Sequence, residues 1–394
     1  MFSPDGCFIA IACVGATAYE SDAGGDGGGG AQMLTLPQFF IRIYSTVDGR
    51  EACAPLLGHS GIIHSLDWTP DSCWLLSASS DGTALVWALP RSVDSSLHLG
   101  DVPPYPHSRL LHPQLPFVYA AKFHPGGAPS VVITACYDGL LRLWDALLGE
   151  PIGQEISREA NYLGVIGESS STLAATTASR YSNNAVGSPP PFYLNCCEWE
   201  GVGQGLDGGV RLLVTGDSRG CLRFYTPPPD KDCHKPEKYI LVKALRPAGL
   251  KGAPIVSIRA RPYTRLRSAS SHLLVLSQAS RLLVYDGLSM QPIRTFPGPQ
   301  CSSHRIEACW SPDGQIVACG SEVGSLALWD AETGLMIPAT AAVANVDESG
   351  HVVPGKGKAV IGYPSMLPSV TWTGGAASIA VCGFGSEYSV LLLC

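Results

Sequence analysis

The sequence has 394 residues, of which 45% are hydrophobic and only 15% are charged, as in a compact protein with a large buried core. Its formal net charge of −7 argues against broad binding to the phosphate backbone of nucleic acids. Because it has neither a secretory signal pattern nor an apolar run near the ~18 residues of a transmembrane helix, we expect no direct membrane insertion.

The fourteen cysteines are too sparse in so long a chain to form a disulfide scaffold. Reduced cysteine behaves as a small hydrophobic residue, and most of these cysteines lie at apolar strand positions. They include Cys13, Cys136, Cys309, Cys319 and Cys382. A reducing, cytosolic setting is therefore expected.

Four hairpins of one design recur along the chain. They are SASSDGTALVW (77–87), TACYDGLLRLW (134–144), TGDSRGCLRFY (215–225) and CGSEVGSLALW (319–329). Each has glycine at its sixth position, where a hairpin turn needs a positive φ, and ends on a large aromatic residue whose ring can be buried. A weaker copy, VLSQASRLLVY (275–285), has Ser280 in place of the glycine.

Each hairpin follows another alternating segment that a Pro or Gly turn closes, such as IIHSLDWTPD, FVYAAKFHPG or RIEACWSPDG. The resulting three-stranded units begin near Met1, His59, Leu115, Phe192, Gly252, His304 and Met366. A W-S-P-D-G segment, a D-G turn and a W-D pair are typical of WD repeats. The sequence therefore predicts an all-β fold, a seven-bladed WD-repeat β-propeller.

The predicted propeller is a single domain over residues 1–394. Its blades are expected near 1–57, 58–112, 113–152, 192–250, 251–300, 301–338 and 364–394. Seven blades need about 300 residues, so the surplus falls in insertions of polar or small residues that we expect to be mobile surface loops. These insertions are 19–37, 90–112, 153–191, 227–250 and 338–364.

The two ends of the sequence predict a ring that is incompletely closed. Met1 falls inside the innermost strand of the first unit, since FSPDG matches WTPDS at 68–72, and Cys394 ends the third strand of the seventh. We therefore expect a segment of a longer protein, which about 15–20 further upstream residues would stabilise by covering an open sheet edge.

Within the second unit, His59, Ser79, Asp81 and Trp87 fit a structural hydrogen-bond chain better than a catalytic triad. Bonds from the Trp N–H through Ser and His to Asp would join the strands and satisfy groups whose burial otherwise costs ~1–3 kcal/mol each. Cys136 takes the place of this serine in the third unit. Most blades are therefore expected to close by packing alone.

Two motifs resemble parts of enzymes but lack the required context. Residues 216–220 (GDSRG) match the G-x-S-x-G elbow around a nucleophilic serine, Ser218, but CLRFYTPPP predicts a strand where the elbow needs a helix. GHVVPGKG (350–357) matches a P-loop except that Gly357 replaces the Mg²⁺-binding Ser or Thr. The sequence thus predicts no enzyme, catalytic residue, metal ligand or cofactor, with a Ser218 hydrolase as the least favoured alternative.

Several stretches resemble the propeller of the jouberin family. They are GHSGIIHSLDWTPDSCWLLSASSDGTALVW, LPFVYAAKFHPGGAPSVVITACYDGLLRLWD, LLVTGDSRGCLRFY, SHRIEACWSPDGQIVACGSEVGSLALWDAETG and SIAVCGFGSEYSVLLLC. The resemblance implies a non-enzymatic scaffold at the base of the cilium, in the transition zone, that binds other proteins of the nephrocystin type. An adaptor of another complex, such as a substrate receptor of a ubiquitin ligase, is the alternative, because fold alone does not set function.

Loops on a rigid ring are the expected recognition surface. Blade geometry predicts partner contacts on hairpin turns and at the starts of inner strands, namely Tyr119, Ser80, Tyr137, Arg219 and Glu322. A nearby run of arginines, Arg259, Arg261, Arg265 and Arg267, leaves open either a local basic patch or an ordinary solvated strand edge.

Overall fold

The structure, a computed structural model, is built almost entirely of β-strands. It describes residues 1–20, 33–89, 108–111, 117–125, 131–152, 165–166, 192–200, 212–229, 232–235, 238–250, 252–262, 271–297, 299–337, 344–346, 352–354, 369–372, 379–382 and 390–393. In these ranges no helix is both long enough and apolar enough to cross a membrane.

Four sheets form between residues 8 and 245. The first, in the order β1-β2-β3, contains Phe8–Glu20, Met33–Ser45 and Leu56–His59. The second, β4-β5-β6-β7, contains Ile63–Trp68, Trp74–Ser79, Thr83–Ala88 and Ser108–Leu111. The third, β8-β9-β10, contains Val118–Phe123, Val131–Cys136 and Leu141–Asp145. In the fourth, the order β11-β15-β14-β13-β12 joins β11 Val165–Ile166, β12 Leu194–Glu200, β13 Leu212–Asp217, β14 Leu222–Thr226 and β15 Ile240–Leu245.

The second half continues the same pattern after a 3₁₀ turn at Ala248–Leu250. The sheet β16-β17-β18-β19 contains Ile255–Ala260, His272–Ser277, Arg281–Asp286 and Gln291–Phe296. The sheet β20-β21-β22 contains Ala308–Trp310, Ile316–Cys319 and Ala327–Asp330. A two-stranded ribbon, β23-β24, contains Ala344–Val346 and Val352–Pro354, and the last sheet, β25-β26-β27, contains Ser369–Trp372, Ile379–Cys382 and Val390–Leu393.

Neighbouring sheets pack face to face in chain order. Their first strands contact one another, β4 with β8, β8 with β12, β12 with β16, β16 with β20 and β20 with β25. A middle strand such as β9 is therefore buried at every position, because apolar side chains on both of its faces are covered. The predicted all-β architecture is confirmed, whereas the number of blades stays a prediction.

The repeated hairpins have the predicted turn geometry. Gly82, Gly139, Gly220 and Gly324 have φ values of 82°, 76°, 72° and 79°, in the left-handed region that glycine adopts without a Cβ clash. Ser280 of the weaker copy is held at a φ of 56°. The aromatic residues that end the four hairpins are buried, namely Trp87, Trp144, Tyr225 and Trp329.

The expectation that the insertions are loops is wrong where their ends extend a sheet. In 19–37 the β1–β2 ladder runs to the pair Glu20 and Met33. Insertion 90–112 supplies β7, 227–250 supplies β15, and 338–364 supplies the ribbon β23-β24. The outer edge of a three-stranded sheet offers unpaired N–H and C=O groups, and β7 and β15 satisfy them, whereas β23-β24 forms a separate ribbon. Most of insertion 153–191 lies outside the described residues.

Candidate interaction surface

The hairpin turns and the starts of the inner strands lie at the same end of the sheets. A recurrent backbone hydrogen bond joins them: the N–H of Ser80 donates to the Ile62 carbonyl (2.9 Å) and that of Tyr137 to Phe117 (3.1 Å). In the next sheet the N–H of Ser218 donates to the Tyr193 carbonyl (3.0 Å). We call this end the turn face.

Four aromatic rings form a closed cluster on the turn face. Their centroids are 6.0 Å apart for Phe117 and Tyr119, 5.3 Å for Tyr119 and Tyr193, 5.6 Å for Tyr193 and Tyr137, and 5.5 Å for Tyr137 and Phe117. His64, from the preceding sheet, adds a ring 5.3 Å from Tyr119. All five side chains are half-buried, so each still offers apolar surface to solvent. We call these five residues the mouth cluster.

One arginine reaches the mouth cluster from the other half of the chain. Arg305, just before β20, donates from Nη1 to the backbone carbonyl of Tyr119 over 3.0 Å. Its Nε is buried and has no hydrogen-bond partner. Tyr119 lies on β8 and Arg305 just before β20, and their sheets are three apart in chain order, so the guanidinium group links non-adjacent sheets.

Two titratable rings of the mouth cluster, His64 and Tyr119, are neutral at pH 7. Burial, and to a lesser extent the Arg305 charge, lowers the pKa of His64 to about 4, so its imidazole is neutral. Burial, together with Tyr193 and Tyr137, raises the pKa of Tyr119 to about 12, so its phenol keeps its proton. Arg305 therefore supplies the charge beside these two neutral rings.

The structure places the five predicted contact residues unequally. Tyr119 and Tyr137 belong to the mouth cluster, and Ser80 lies in a hairpin turn of the turn face, where its Oγ donates to the Ile62 carbonyl (3.3 Å). Arg219 is exposed in the turn between β13 and β14. Glu322 instead holds its own sheet together: its Oε1 accepts from the backbone N–H groups of residues 302, 303 and 304 at 2.6–2.8 Å.

A second feature of the inner strands is an arc of alternating charges, which the sequence analysis missed. We call Asp67, Lys122, Glu198, Arg259 and Glu307 the charged arc. Lys122 Nζ lies 3.1 Å from Asp67 Oδ1 and 3.2 Å from Glu198 Oε2. Arg259 then links Glu198 Oε2 (3.5 Å) to Glu307 Oε2 (3.2 Å). Each ion pair joins two neighbouring sheets, so the arc ties five of them in sequence.

Lys122 and Glu307 are stabilised in their charged forms by their partners, whereas burial outweighs the Lys122 charge at Asp67 and raises the pKa of that carboxyl. Burial alone would lower the pKa of Lys122, but the Asp67 and Glu198 carboxylates raise it above its ordinary value. Burial would likewise raise the pKa of Glu307, but Arg259, and then Arg305, lower it. Arg259 is thus not part of a free basic patch. Arg261 is also engaged, with Glu332 at 2.9 Å, whereas Arg265 and Arg267 lie outside the described residues.

The structural hydrogen-bond chain exists with a different serine. His59 Nδ1 lies 2.9 Å from Asp81 Oδ2, and His59 Nε2 lies 2.7 Å from Oγ of Ser77, to which Trp87 Nε1 donates over 2.9 Å. The predicted Ser79 instead accepts the N–H of Asp81 (3.2 Å). Leu75 pairs with Trp87 across the ladder. Along the strand from Leu75, Ser77 is ~7 Å away, within reach of the Trp87 indole, and Ser79 is ~13 Å away, beyond its reach.

The third sheet repeats the hydrogen bond from the tryptophan indole to a hydroxyl, and the acceptor again lies two residues before the predicted position. Trp144 Nε1 donates to Oγ1 of Thr134 over 2.9 Å, so Thr134, not Cys136, takes the serine's place. Cys136 is fully buried beside it. The expectation that this blade closes by packing alone is therefore wrong.

The elbow-like motif is a hairpin turn. Ser218 lies between β13 and β14, and its Oγ accepts the backbone N–H of Tyr193 (3.1 Å). Among the described residues, no histidine hydrogen-bonds Ser218, and no group of three or more His, Cys, Asp or Glu side chains is placed to hold a metal ion. The P-loop-like segment lies mostly outside the described residues.

Comparison with known proteins bears on the fold first. The family described as "WD domain, G-beta repeat" matches residues 51–88, 108–145 and 290–330, which contain the second and third hairpin units and the sixth. The chain is a WD-repeat β-propeller. A solved structure, the β-propeller domain of Cps50 (Swd1) from Myceliophteria thermophila, aligns over 100% of this chain and 95% of its own, with a TM-score of 0.61 at 16% identity. At that identity the likeness concerns the fold alone.

The chain is also similar to jouberin over nearly its whole length. It is 24% identical to jouberin of Rattus norvegicus over 391 residues, which is 99% of this propeller and 29% of that protein. It is 25% identical to jouberin of Mus musculus over 333 residues, 84% of the propeller and 25% of that protein. The propeller thus spans less than a third of the length of these relatives.

Proposed function

We propose that this propeller is a non-enzymatic platform that binds other proteins through the mouth cluster on its turn face. The observation that carries the proposal is the closed set of half-buried rings beside Arg305. Aromatic residues and arginine are enriched at the centres of protein interfaces, where a few of them supply most of the binding energy. Of the predicted contacts, Tyr119 and Tyr137 belong to this cluster, and we propose Ser80 and Arg219, on hairpin turns of the same face, as further contacts.

We further propose that the partners belong to the base of the cilium. The likeness to jouberin over nearly the whole chain supports a role in organising the transition zone and contact with components of the nephrocystin type. It also supports a cytoplasmic location beside the ciliary cytoskeleton. Neither direct membrane insertion nor nucleic-acid binding forms part of this role.

Alanine variants of the five predicted contacts test the platform. Tagged wild-type protein and the variants Y119A, S80A, Y137A, R219A and E322A are used to capture partners from ciliated cells. Leu148→Ala is the matched control, because Leu148 is 72% exposed in a turn at the opposite end of the third sheet. We expect Y119A and Y137A to reduce capture most and L148A not to reduce it.

Capture that is equal for the wild type and all five variants would refute the platform. Imaging the same tagged protein tests the location separately. Signal concentrated at ciliary bases supports the proposed role, whereas a diffuse cytosolic or nuclear signal favours an adaptor of another complex.

A further inference from the structure

We propose that the mouth cluster binds a peptide segment whose Asp or Glu side chain pairs with Arg305 while flanking apolar residues pack on the rings. This inference rests on the proposed function and adds the chemistry of the partner. Three features support it: the charge of Arg305, the apolar surface of the mouth-cluster rings and the net negative charge of the chain.

Among the described residues, no carboxylate lies within ion-pair distance of Arg305. Its hydrogen bond goes to a backbone carbonyl, that of Tyr119, and its Nε has no acceptor. Glu307 is close enough to sense the Arg305 charge, but its Oε2 accepts from Ser369 Oγ (3.2 Å) and pairs with Arg259 (3.2 Å). A guanidinium group has five N–H donors in a planar fork that fits a carboxylate. Nε itself is buried out of reach, so a bound carboxylate would use the remaining Nη donors of this half-buried side chain.

The rings make the surroundings of that cation apolar. Phe117 and Tyr119 stack at an interplanar angle of 17°, and Tyr137 and Tyr193 stack at 15°. Such paired rings present rigid apolar surface at low cost in side-chain entropy. A partner carboxylate would meet Arg305 beside this low-dielectric surface, where a charge pair is stronger than in water.

Charge complementarity also selects the carboxylate over a phosphate backbone. The chain as a whole is negative, at −7, so an acidic segment is attracted only where a local cation outweighs that charge. Phosphate groups and single-stranded nucleic acids are usually bound by clusters of arginines or a basic groove. Among the described residues, Arg305 is the one arginine that hydrogen-bonds the mouth cluster, and His64 is neutral beside it.

A random-peptide phage library panned on the immobilised propeller tests the proposal directly. Enriched peptides are synthesised with a fluorescent label, and their affinities are measured by fluorescence anisotropy. A second set has each Asp or Glu replaced by Asn or Gln, so the carboxylate is tested on the unaltered protein. A labelled oligothymidine probes the nucleic-acid alternative.

We expect enriched peptides with a recurrent acidic residue next to apolar ones. Amidation of that residue should weaken binding about 10-fold or more, since a hydrogen bond to a charged group is lost. R305Q should cause a similar loss, R305K a smaller one, and R50Q, at an exposed arginine between β2 and β3 that has no place in the proposed surface, none. Thermal melting within about 2 °C of wild type shows that each variant is folded.

The alternatives separate clearly. If the enriched peptides bind Y137A more weakly than wild type but are unaffected by R305Q or by amidation, the carboxylate inference is wrong and the proposed platform is retained. If peptide affinity is unchanged by Y137A and by R305Q, or if no peptide is enriched, the carboxylate inference and the proposed platform are both wrong. Oligothymidine binding that R305Q abolishes also overturns the inference, in favour of a nucleic-acid surface.

Discussion

Removing the central charge of the arc should destabilise the protein far more than removing a similar charge from its surface. Lys122 is 5% exposed, and its two partners, Asp67 and Glu198, have side chains that are 11% and 15% exposed. Lys122→Met keeps the volume of the side chain and deletes only its charge. Two buried carboxylates then lose their shared cation.

The magnitude follows from the contacts that survive. Asp67 keeps the backbone N–H of Phe123 (2.8 Å), and Glu198 keeps Arg259 at 3.5 Å. Breaking a buried pair by removing one partner typically costs ~3–5 kcal/mol, so we expect K122M to lower the free energy of unfolding by about that amount. Adding D67N removes the stranded charge while keeping an acceptor for Phe123, and should restore at least ~1 kcal/mol.

Urea unfolding at neutral pH, followed by fluorescence of the eight tryptophans, measures these differences. The matched control is K238M, since Lys238 pairs with Asp232 at 2.5 Å but its side chain is 43% exposed. An exposed pair is worth ~0–1 kcal/mol. If K122M and K238M cost the same, or if D67N fails to restore stability, the arc does not hold the sheets together.

Three further predictions concern the turns and the hydrogen-bond chain. S77A should lower stability by ~1–3 kcal/mol in urea unfolding, because it leaves His59 and Trp87 nitrogens unpaired; an equal or larger loss from S79A would contradict the assignment. Hydrogen bonds to residues 302–304 outweigh burial and lower the pKa of Glu322 to about 2, so its stabilisation is present above its ordinary pKa of 4.5 and is lost as pH falls toward 2. The stability gap between wild type and E322Q, measured across that pH range, should shrink accordingly, and a constant gap would refute this. G220A should lower the melting temperature more than G49A. Both glycines have a φ near +70°, but a Cβ on Gly220 would lie 2.7 Å from a backbone oxygen, whereas a Cβ on Gly49 meets nothing within 4 Å. Equal losses would show that φ alone determines the cost.

The sequence predicted the repeat because local chemistry dictates it. A positive φ demands glycine at Gly82, and a buried strand end demands a large ring such as Trp87. The same strand shows where such reasoning stops: Ser77 and Ser79 point to the same face, so only the ladder register tells which one meets the indole.

The arc and the mouth cluster depend on contacts between sheets, which no single repeat reveals. Asp67, Lys122 and Glu198 each stand directly before the aromatic residue that closes or nearly closes the inner strand. The alternating signs of these charges at one fixed position of the repeat could have indicated the arc from the sequence. A charged residue in a strand usually faces solvent, however, so the pattern did not by itself indicate buried ion pairs. The bond from Arg305 to Tyr119 spans 186 residues and leaves no trace in the repeat pattern.

Site-specific photocrosslinking in ciliated cells tests the central claim, that partners dock on the turn face. A benzophenone amino acid replaces Tyr137 in the mouth cluster or, in a parallel protein, Leu148 at the far end of the same sheet. The platform predicts discrete crosslinked partners from position 137 and few from 148. Crosslinks that arise equally or preferentially from position 148, or none from 137, would contradict it.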